Sequence, residues 1–159
     1  MRISKLSVDG EYILIGHSLG GILLRSALAS LPAGTRPPTR VFLLGSPTKP
    51  ARLAKILSRN PIFRIVTGDC GRMLASDVRM NSVPPVLVPT TGIFGDRGIP
   101  VTFHVFRSEP NDGVVSVSEV SATWIIDAVI VPIVHTFLPA SKYVAAIILE
   151  RIGKNGAIH

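Results

Sequence analysis

Short apolar runs alternate with segments of helical periodicity in the first third of the chain. Glu11–Ile15 is an apolar run that ends at Gly16, and Arg40–Leu44 is a second run that ends at Gly45. Continuous apolar runs of this length are typical of parallel strands that are buried on both faces. Between them, Leu19–Leu31 carries apolar residues at helical spacing. The pattern predicts strand, helix, strand.

The same alternation continues to the end of the chain. Pro50–Ser58 is predicted as a short helix, and 61–100 as an irregular loop or lid followed by a strand. Val101–Phe106 alternates in a way that predicts a further strand, and Ile125–Val131 is a β-branched run typical of another. A helix is predicted over Ser141–Ile152. Strands that alternate with helices indicate an α/β fold, with a mostly parallel sheet and helices on both faces.

The composition fits a folded domain. The chain has 159 residues, of which 47% are hydrophobic and 17% charged, which excludes a disordered chain. We therefore expect a single domain over 1–159. Its one cysteine, Cys70, excludes an internal disulfide, and the usual environment of such a thiol is the apolar interior.

The chain is basic, with 17 Lys and Arg against 10 Asp and Glu. The basic residues concentrate between Arg25 and Arg79, which predicts a basic face there. No aromatic residues alternate with them as in single-strand binders, so no nucleic-acid partner is expected. No signal peptide is visible, and no apolar stretch reaches the ~20 residues that cross a bilayer. We expect a cytoplasmic protein with no membrane span.

A Gly-x-Ser-x-Gly motif, Gly16-His17-Ser18-Leu19-Gly20, lies between the first predicted strand and the first predicted helix. In this context the motif predicts a nucleophile elbow, a sharp turn that exposes the serine hydroxyl. Gly16 and Gly20 are expected to let the strand and helix approach each other. The N–H of Leu19, at the helix N-terminus, is expected to face a developing oxyanion. Ser18 is the candidate nucleophile.

A serine nucleophile needs an imidazole to take its proton. His135 follows the strand Ile125–Val131, at the carboxyl end where catalytic groups gather in open α/β sheets. His17 is beside the serine and is expected to point away, His104 is inside a predicted strand, and His159 is the last residue. His135 is the candidate base.

The imidazole in turn needs a carboxylate to hold it. Asp112 lies in a turn between Ser18 and His135 and directly follows residues predicted to form a strand. Asp96, after another apolar run, and Asp127, inside a predicted strand, are the alternatives. Asp112 gives the chain order Ser, Asp, His that is expected of an α/β-hydrolase.

Five segments together resemble the carboxyl-terminal half of bacterial α/β-hydrolase-fold lipases and esterases. The resemblance spans most of 11–152, and the first, fourth and fifth segments are its specific part. The segments are Gly16-His17-Ser18-Leu19-Gly20-Gly21, Gly45-Ser46-Pro47, Gly95-Asp96-Arg97, Pro110-Asn111-Asp112-Gly113-Val114-Val115-Ser116-Val117 and Pro132-Ile133-Val134-His135-Thr136-Phe137.

The resemblance implies a serine hydrolase that cleaves a small-molecule or lipid ester through an acyl-enzyme. Ser18 is then the nucleophile, Asp112 the acid, His135 the base and Leu19 one oxyanion donor. No metal or organic cofactor is implied. The same residues would also support acyl transfer to an acceptor other than water.

Family members have several strands before the nucleophile strand, whereas ten residues precede Glu11 here. We therefore expect a partial, N-terminally incomplete α/β-hydrolase domain whose first strand has an open edge. A partner chain could complete the sheet. The alternative function is that of a truncated, non-catalytic remnant that acts as a binding or interaction module.

Overall fold

Four parallel strands form one sheet in the computed structural model, which describes residues 10–60 and 69–155. Their order in the sheet is the order of the chain, β1 to β4. This arrangement confirms the predicted α/β fold. The strands of the described residues are β1 (Ile13–His17), β2 (Arg40–Leu44), β3 (Thr90–Gly95) and β4 (Asp127–Val131).

Helices connect the strands and follow the last one. Helical residues also occur at 69–75. The bounded α-helices are α1 (Leu19–Ala29), α2 (Arg52–Leu57), α3 (Asp77–Asn81), α4 (Phe103–Phe106), α5 (Val117–Val120) and α6 (Lys142–Asn155), and 3-10 helices cover Pro100–Thr102 and His135–Ala140. No helix among the described residues is long and apolar enough to cross a membrane.

The two faces of β2 are both buried, as its continuous apolar run predicts. Val41 and Leu43 belong to a core cluster against which α1 packs through its partly buried leucines. Phe42 and Leu44 belong to a second cluster, which includes the buried residues of α6. Because neighbouring residues of a strand point to opposite faces, α1 and α6 cover opposite faces of the sheet.

The prediction of a strand over Val101–Phe106 is wrong. A 3-10 helix at Pro100–Thr102 continues there into α4. The residues buried in this segment, Thr102 and Phe106, are four apart. That spacing is one helical turn, whereas the apolar positions of the alternation lie exposed or half-buried.

Arg25 does not belong to a basic surface, because its side chain is buried with 3% exposure. Its guanidinium donates hydrogen bonds to the carbonyl oxygens of Val83 (2.8 Å), Pro84 (3.2 Å) and Pro47 (3.4 Å). It also lies 5.0 Å from the ring centroid of Trp124. Burial lowers the pKa of Arg25. The residue ties α1 to the loops that follow β2 and precede β3.

Other basic residues of the predicted face form ion pairs. Lys55 contacts Asp77 at 2.7 Å, and Arg79 contacts Asp69 at 2.7 Å. The positive charge of this surface is therefore smaller than the residue count suggests. Cys70, expected in the interior, is instead exposed, as are its neighbours Asp69 and Arg72.

The outer edge of β1 has no strand partner among the described residues. Ile15, in the middle of this strand, is 49% exposed. An apolar groove of about 410 Å³ lies beside it, between β1 and α6. Its lining includes Ile15, His17, Leu44, Val144, Ile148 and Leu149.

Candidate active site

Ser18 lies between β1 and α1 with a backbone conformation that side-chain-bearing residues rarely adopt. Its φ is 52° and its ψ is −128°. A residue other than glycine costs about 1–3 kcal/mol in such a conformation. Two backbone hydrogen bonds hold the turn. The Ser18 N–H donates to the Leu44 carbonyl at 2.9 Å, and the Gly21 N–H donates to the Ser18 carbonyl at 3.1 Å.

The close approach of strand and helix that we predicted at Gly20 lies at Gly21 instead. A Cβ added to Gly16 would stand 2.5 Å from the Gly21 Cα, and a Cβ on Gly21 would stand 2.2 Å from the Ser46 Oγ. A Cβ on Gly20 would meet nothing within 4 Å. Each helical residue turns by about 100°, so that Gly21 faces β1 and Gly20 faces solvent.

Asp112 and His135 form a buried hydrogen bond, with 2.6 Å between Asp112 Oδ2 and His135 Nδ1. Their side chains are 1% and 7% exposed. The other carboxylate oxygen of Asp112 accepts from the N–H groups of Val114 (3.0 Å) and Val115 (2.9 Å). Since an ionised carboxylate only accepts, His135 donates from Nδ1. In the neutral ring Nε2 is then left as a proton acceptor.

The turn that carries Asp112 is built from local signals. The Asn111 side chain accepts from the Gly113 N–H at 3.0 Å, and Gly113 has a φ of 93°, which glycine adopts without strain. Next, Ser116 and Glu119 form a capping box that begins α5. Together these contacts fix the carboxylate of Asp112.

Gly45 lies against the Asp112–His135 pair and directly follows the residue that is hydrogen-bonded to Ser18. Its φ is 51°, and an added Cβ would stand 3.0 Å from both Asp112 Oδ2 and His135 Nδ1. Its predecessor, Leu44, accepts the hydrogen bond from Ser18. The sequence marked Gly45 as the end of a strand and as part of the segment Gly45-Ser46-Pro47, but gave it no role in the site. A glycine directly after a buried apolar run was the available signal.

His17 provides a second connection between the turn and His135. Its Nε2 lies 3.1 Å from the His135 carbonyl oxygen, and the two ring centroids are 4.8 Å apart. Burial and the neighbouring His135 lower the pKa of His17. Within the described residues, no direct hydrogen bond joins Ser18 Oγ to the His135 ring.

The alternative candidates lie elsewhere. Asp96 is exposed, and Asp127 pairs with Arg151 of α6 at 3.1 Å. Of the other histidines, His104 is exposed on α4 and His159 lies outside the described residues. No cluster of three or more potential metal-ligating side chains occurs in 10–60 and 69–155.

Leu19 is the first residue of α1. Its N–H therefore has no acceptor within the helix. The first turn of α1 contains no acidic side chain, so no carboxylate in that turn compensates the positive end of the helix dipole. This end of the helix suits a negatively charged oxygen.

An ion-pair network supports the Asp112 loop from α2. The Arg52 guanidinium contacts the carboxylates of Glu109 and Glu119, and the backbone N–H of Arg52 donates to the Glu119 carboxylate at 2.7 Å. The pKa of Glu109 is lowered to about 2, first by a hydrogen bond from the Ser118 hydroxyl and then by Arg52 and Ser116. Burial of the carboxylate acts in the opposite direction and raises this pKa. The ion pair between Arg52 and Glu109 is therefore present while Glu109 is ionised.

No protein-family model and no curated protein matches the chain, but several solved structures resemble it. A mature lipase of Bacillus licheniformis, BlEst2, has a TM-score of 0.63 at 17% identity, covering 87% of this chain and 69% of its own. A thermophilic esterase has a TM-score of 0.53 at 14% identity, covering 99% and 75%. RedJ, solved with a PEG molecule in its active site, has a TM-score of 0.50 at 22% identity, covering 95% and 63%. The chain has an α/β-hydrolase-like fold of the kind found in lipase and esterase structures.

We predict that Gly16→Ala lowers the free energy of unfolding by about 1–3 kcal/mol, because the added methyl overlaps the backbone of Gly21. The matched variant Gly20→Ala should leave stability unchanged or raise it by up to about 1 kcal/mol, since alanine favours the helix. Urea denaturation of both variants measures the difference. Equal midpoints for the two would contradict the packing described.

We predict that stability falls as the pH drops from about 4.5 towards 2, the interval between the ordinary pKa of Glu109 and its value in the folded chain. Because that pKa is lowered on folding, the contribution of Glu109 is complete above this interval and disappears below it. Glu109→Gln should flatten the pH dependence of the unfolding midpoint there. Glu11→Gln, which removes an exposed carboxylate outside the network, is the control and should leave the curve steep.

Proposed function

We propose that the chain is a serine hydrolase that cleaves carboxylic esters through an acyl-enzyme. The observation that carries the proposal is the buried 2.6 Å hydrogen bond between Asp112 and His135, beside a serine held at a φ of 52°. Nucleophilic acyl transfer requires a serine hydroxyl, an imidazole of fixed tautomer to take its proton, and an acid that holds the imidazole. The fold shared with lipase and esterase structures supports the same class of reaction.

In the proposed mechanism Ser18 Oγ attacks the ester carbonyl while His135 Nε2 takes its proton. The ester C–O bond then breaks as the imidazolium protonates the departing alkoxide, which leaves as the alcohol, and the same nitrogen later activates the water that hydrolyses the acyl-enzyme. Asp112 holds His135 with Nδ1 protonated and stabilises the imidazolium. The N–H of Leu19 stabilises the oxyanion of each tetrahedral intermediate. The substrate is a small-molecule or lipid ester.

We predict that Ser18→Ala lowers kcat for a p-nitrophenyl ester by at least about 10³-fold, because no other group forms the acyl-enzyme. A fluorophosphonate probe should label the wild type at Ser18 and leave this variant unlabelled. Ser26→Ala, which removes a hydroxyl from the same helix, is the matched control and should retain activity and labelling. Circular dichroism checks that all three chains are folded, and wild-type turnover by Ser18→Ala would refute the proposal.

The identity of the acid is tested by a second pair of variants. Asp112→Asn should reduce kcat by about 10²–10⁴-fold, because an amide no longer fixes the tautomer of His135. Asp96→Asn changes an exposed aspartate and should leave kcat within about twofold of wild type. A larger loss of kcat in Asp96→Asn than in Asp112→Asn would show that Asp112 is not the acid.

A non-catalytic interaction module is the second candidate function. The observation that favours it is the unpaired outer edge of β1 among the described residues, with Ile15 half exposed. Such an edge offers backbone groups to a strand of another chain. A folded wild type that no fluorophosphonate labels would favour this candidate over the hydrolase.

A further inference from the structure

His17, the residue directly before Ser18, contacts His135, the proposed base. Its Nε2 is 3.1 Å from the carbonyl oxygen of His135. A carbonyl oxygen only accepts hydrogen bonds, so His17 donates and carries a proton on Nε2. The two rings also contact each other, with centroids 4.8 Å apart and planes inclined by 42°.

Three hydrogen bonds fix the position of His135. Its N–H donates to the Asp112 carbonyl at 2.9 Å, and its Nδ1 donates to the Asp112 carboxylate at 2.6 Å. Both of these bonds orient the base relative to the acid. The third bond, from His17, orients His135 relative to the end of β1, directly before Ser18. Over the described ranges, this is the one hydrogen bond between residues 13–21 and the 3-10 helix that begins at His135.

The charge of His17 also suits this position. Burial, and then the neighbouring His135, lower its pKa, while the bond to the His135 carbonyl and the more distant Asp112 oppose the shift. A neutral His17 adds no positive charge beside the imidazolium that His135 must form during catalysis. The contact can therefore orient the base without disfavouring its protonation.

We propose that His17 is a positioning residue that sets the distance between Ser18 Oγ and His135 Nε2. The inference rests on the proposed hydrolase function and deepens it. A proton transfer across this gap requires a separation of about 2.6–3.2 Å in the reactive complex. A displacement of about 1 Å can lower the rate about 10²-fold. Because Ser18 and His135 act together in the transition state, the loss should appear in kcat and leave KM nearly unchanged.

The test compares two substitutions of His17. His17→Phe keeps an aromatic ring against His135 but removes the donor, and we expect kcat for p-nitrophenyl acetate to fall about 10–100-fold at unchanged KM. In His17→Gln the side-chain amide nitrogen occupies about the place of Nε2, so kcat should return to within about threefold of wild type. His104→Phe, which removes an exposed histidine, is the matched control and should not change kcat. Thermal unfolding confirms that each variant is folded.

Equal losses in folded His17→Phe and His17→Gln would overturn the inference, because the donor would then not matter. Wild-type kcat in His17→Phe would overturn it as well. A rise in KM at constant kcat would assign His17 to substrate binding and would also contradict the proposal.

A second readout separates this inference from the proposed function. The ¹³C chemical shift of the His135 carbonyl should change in His17→Phe and recover in His17→Gln, whether or not the chain turns over esters. An unchanged shift would overturn the contact itself. A wild type without Ser18-dependent turnover, in which the carbonyl shift still responds to His17→Phe, would refute the hydrolase and its positioning residue while retaining the hydrogen bond.

Discussion

The geometry of the candidate site depends on one left-handed residue at the end of β1. Ser18 can turn the chain sharply because Gly16 and Gly21 have no side chains to separate β1 from α1. The conformation alone does not identify a site, since Arg107 has nearly the same φ of 53° in an exposed turn. What distinguishes Ser18 is that a buried Asp112–His135 pair lies beside the same turn.

The parallel sheet brings together residues that are far apart in the chain. Ser18 follows β1, Gly45 follows β2 and His135 follows β4 after a short loop, all at the carboxyl ends of their strands. The contact between His17 and His135 joins residues 118 positions apart. The fold thus brings these residues together, and hydrogen bonds orient the side chains of Asp112, His135 and His17.

The apolar runs predicted most strands and helices because burial on both faces leaves a clear pattern in the sequence. Prediction failed for Val101–Phe106, where a short alternation fits a strand while the buried positions follow a helical turn. The sequence also predicted the close contact between strand and helix at Gly20, whereas it lies at Gly21, because the motif does not show which side of the helix faces the strand. The contacts of Gly45 and His17 depend on tertiary structure and left no periodic signal.

The central claim is that Ser18 and His135 act on one substrate carbonyl. A crystal structure of the chain after reaction with a fluorophosphonate tests it most directly. The account predicts a covalent bond from phosphorus to Ser18 Oγ, with His135 Nε2 within about 3 Å of an oxygen of the adduct and the bond to Asp112 intact. An adduct on another residue, or a His135 ring turned beyond hydrogen-bond distance, would contradict it.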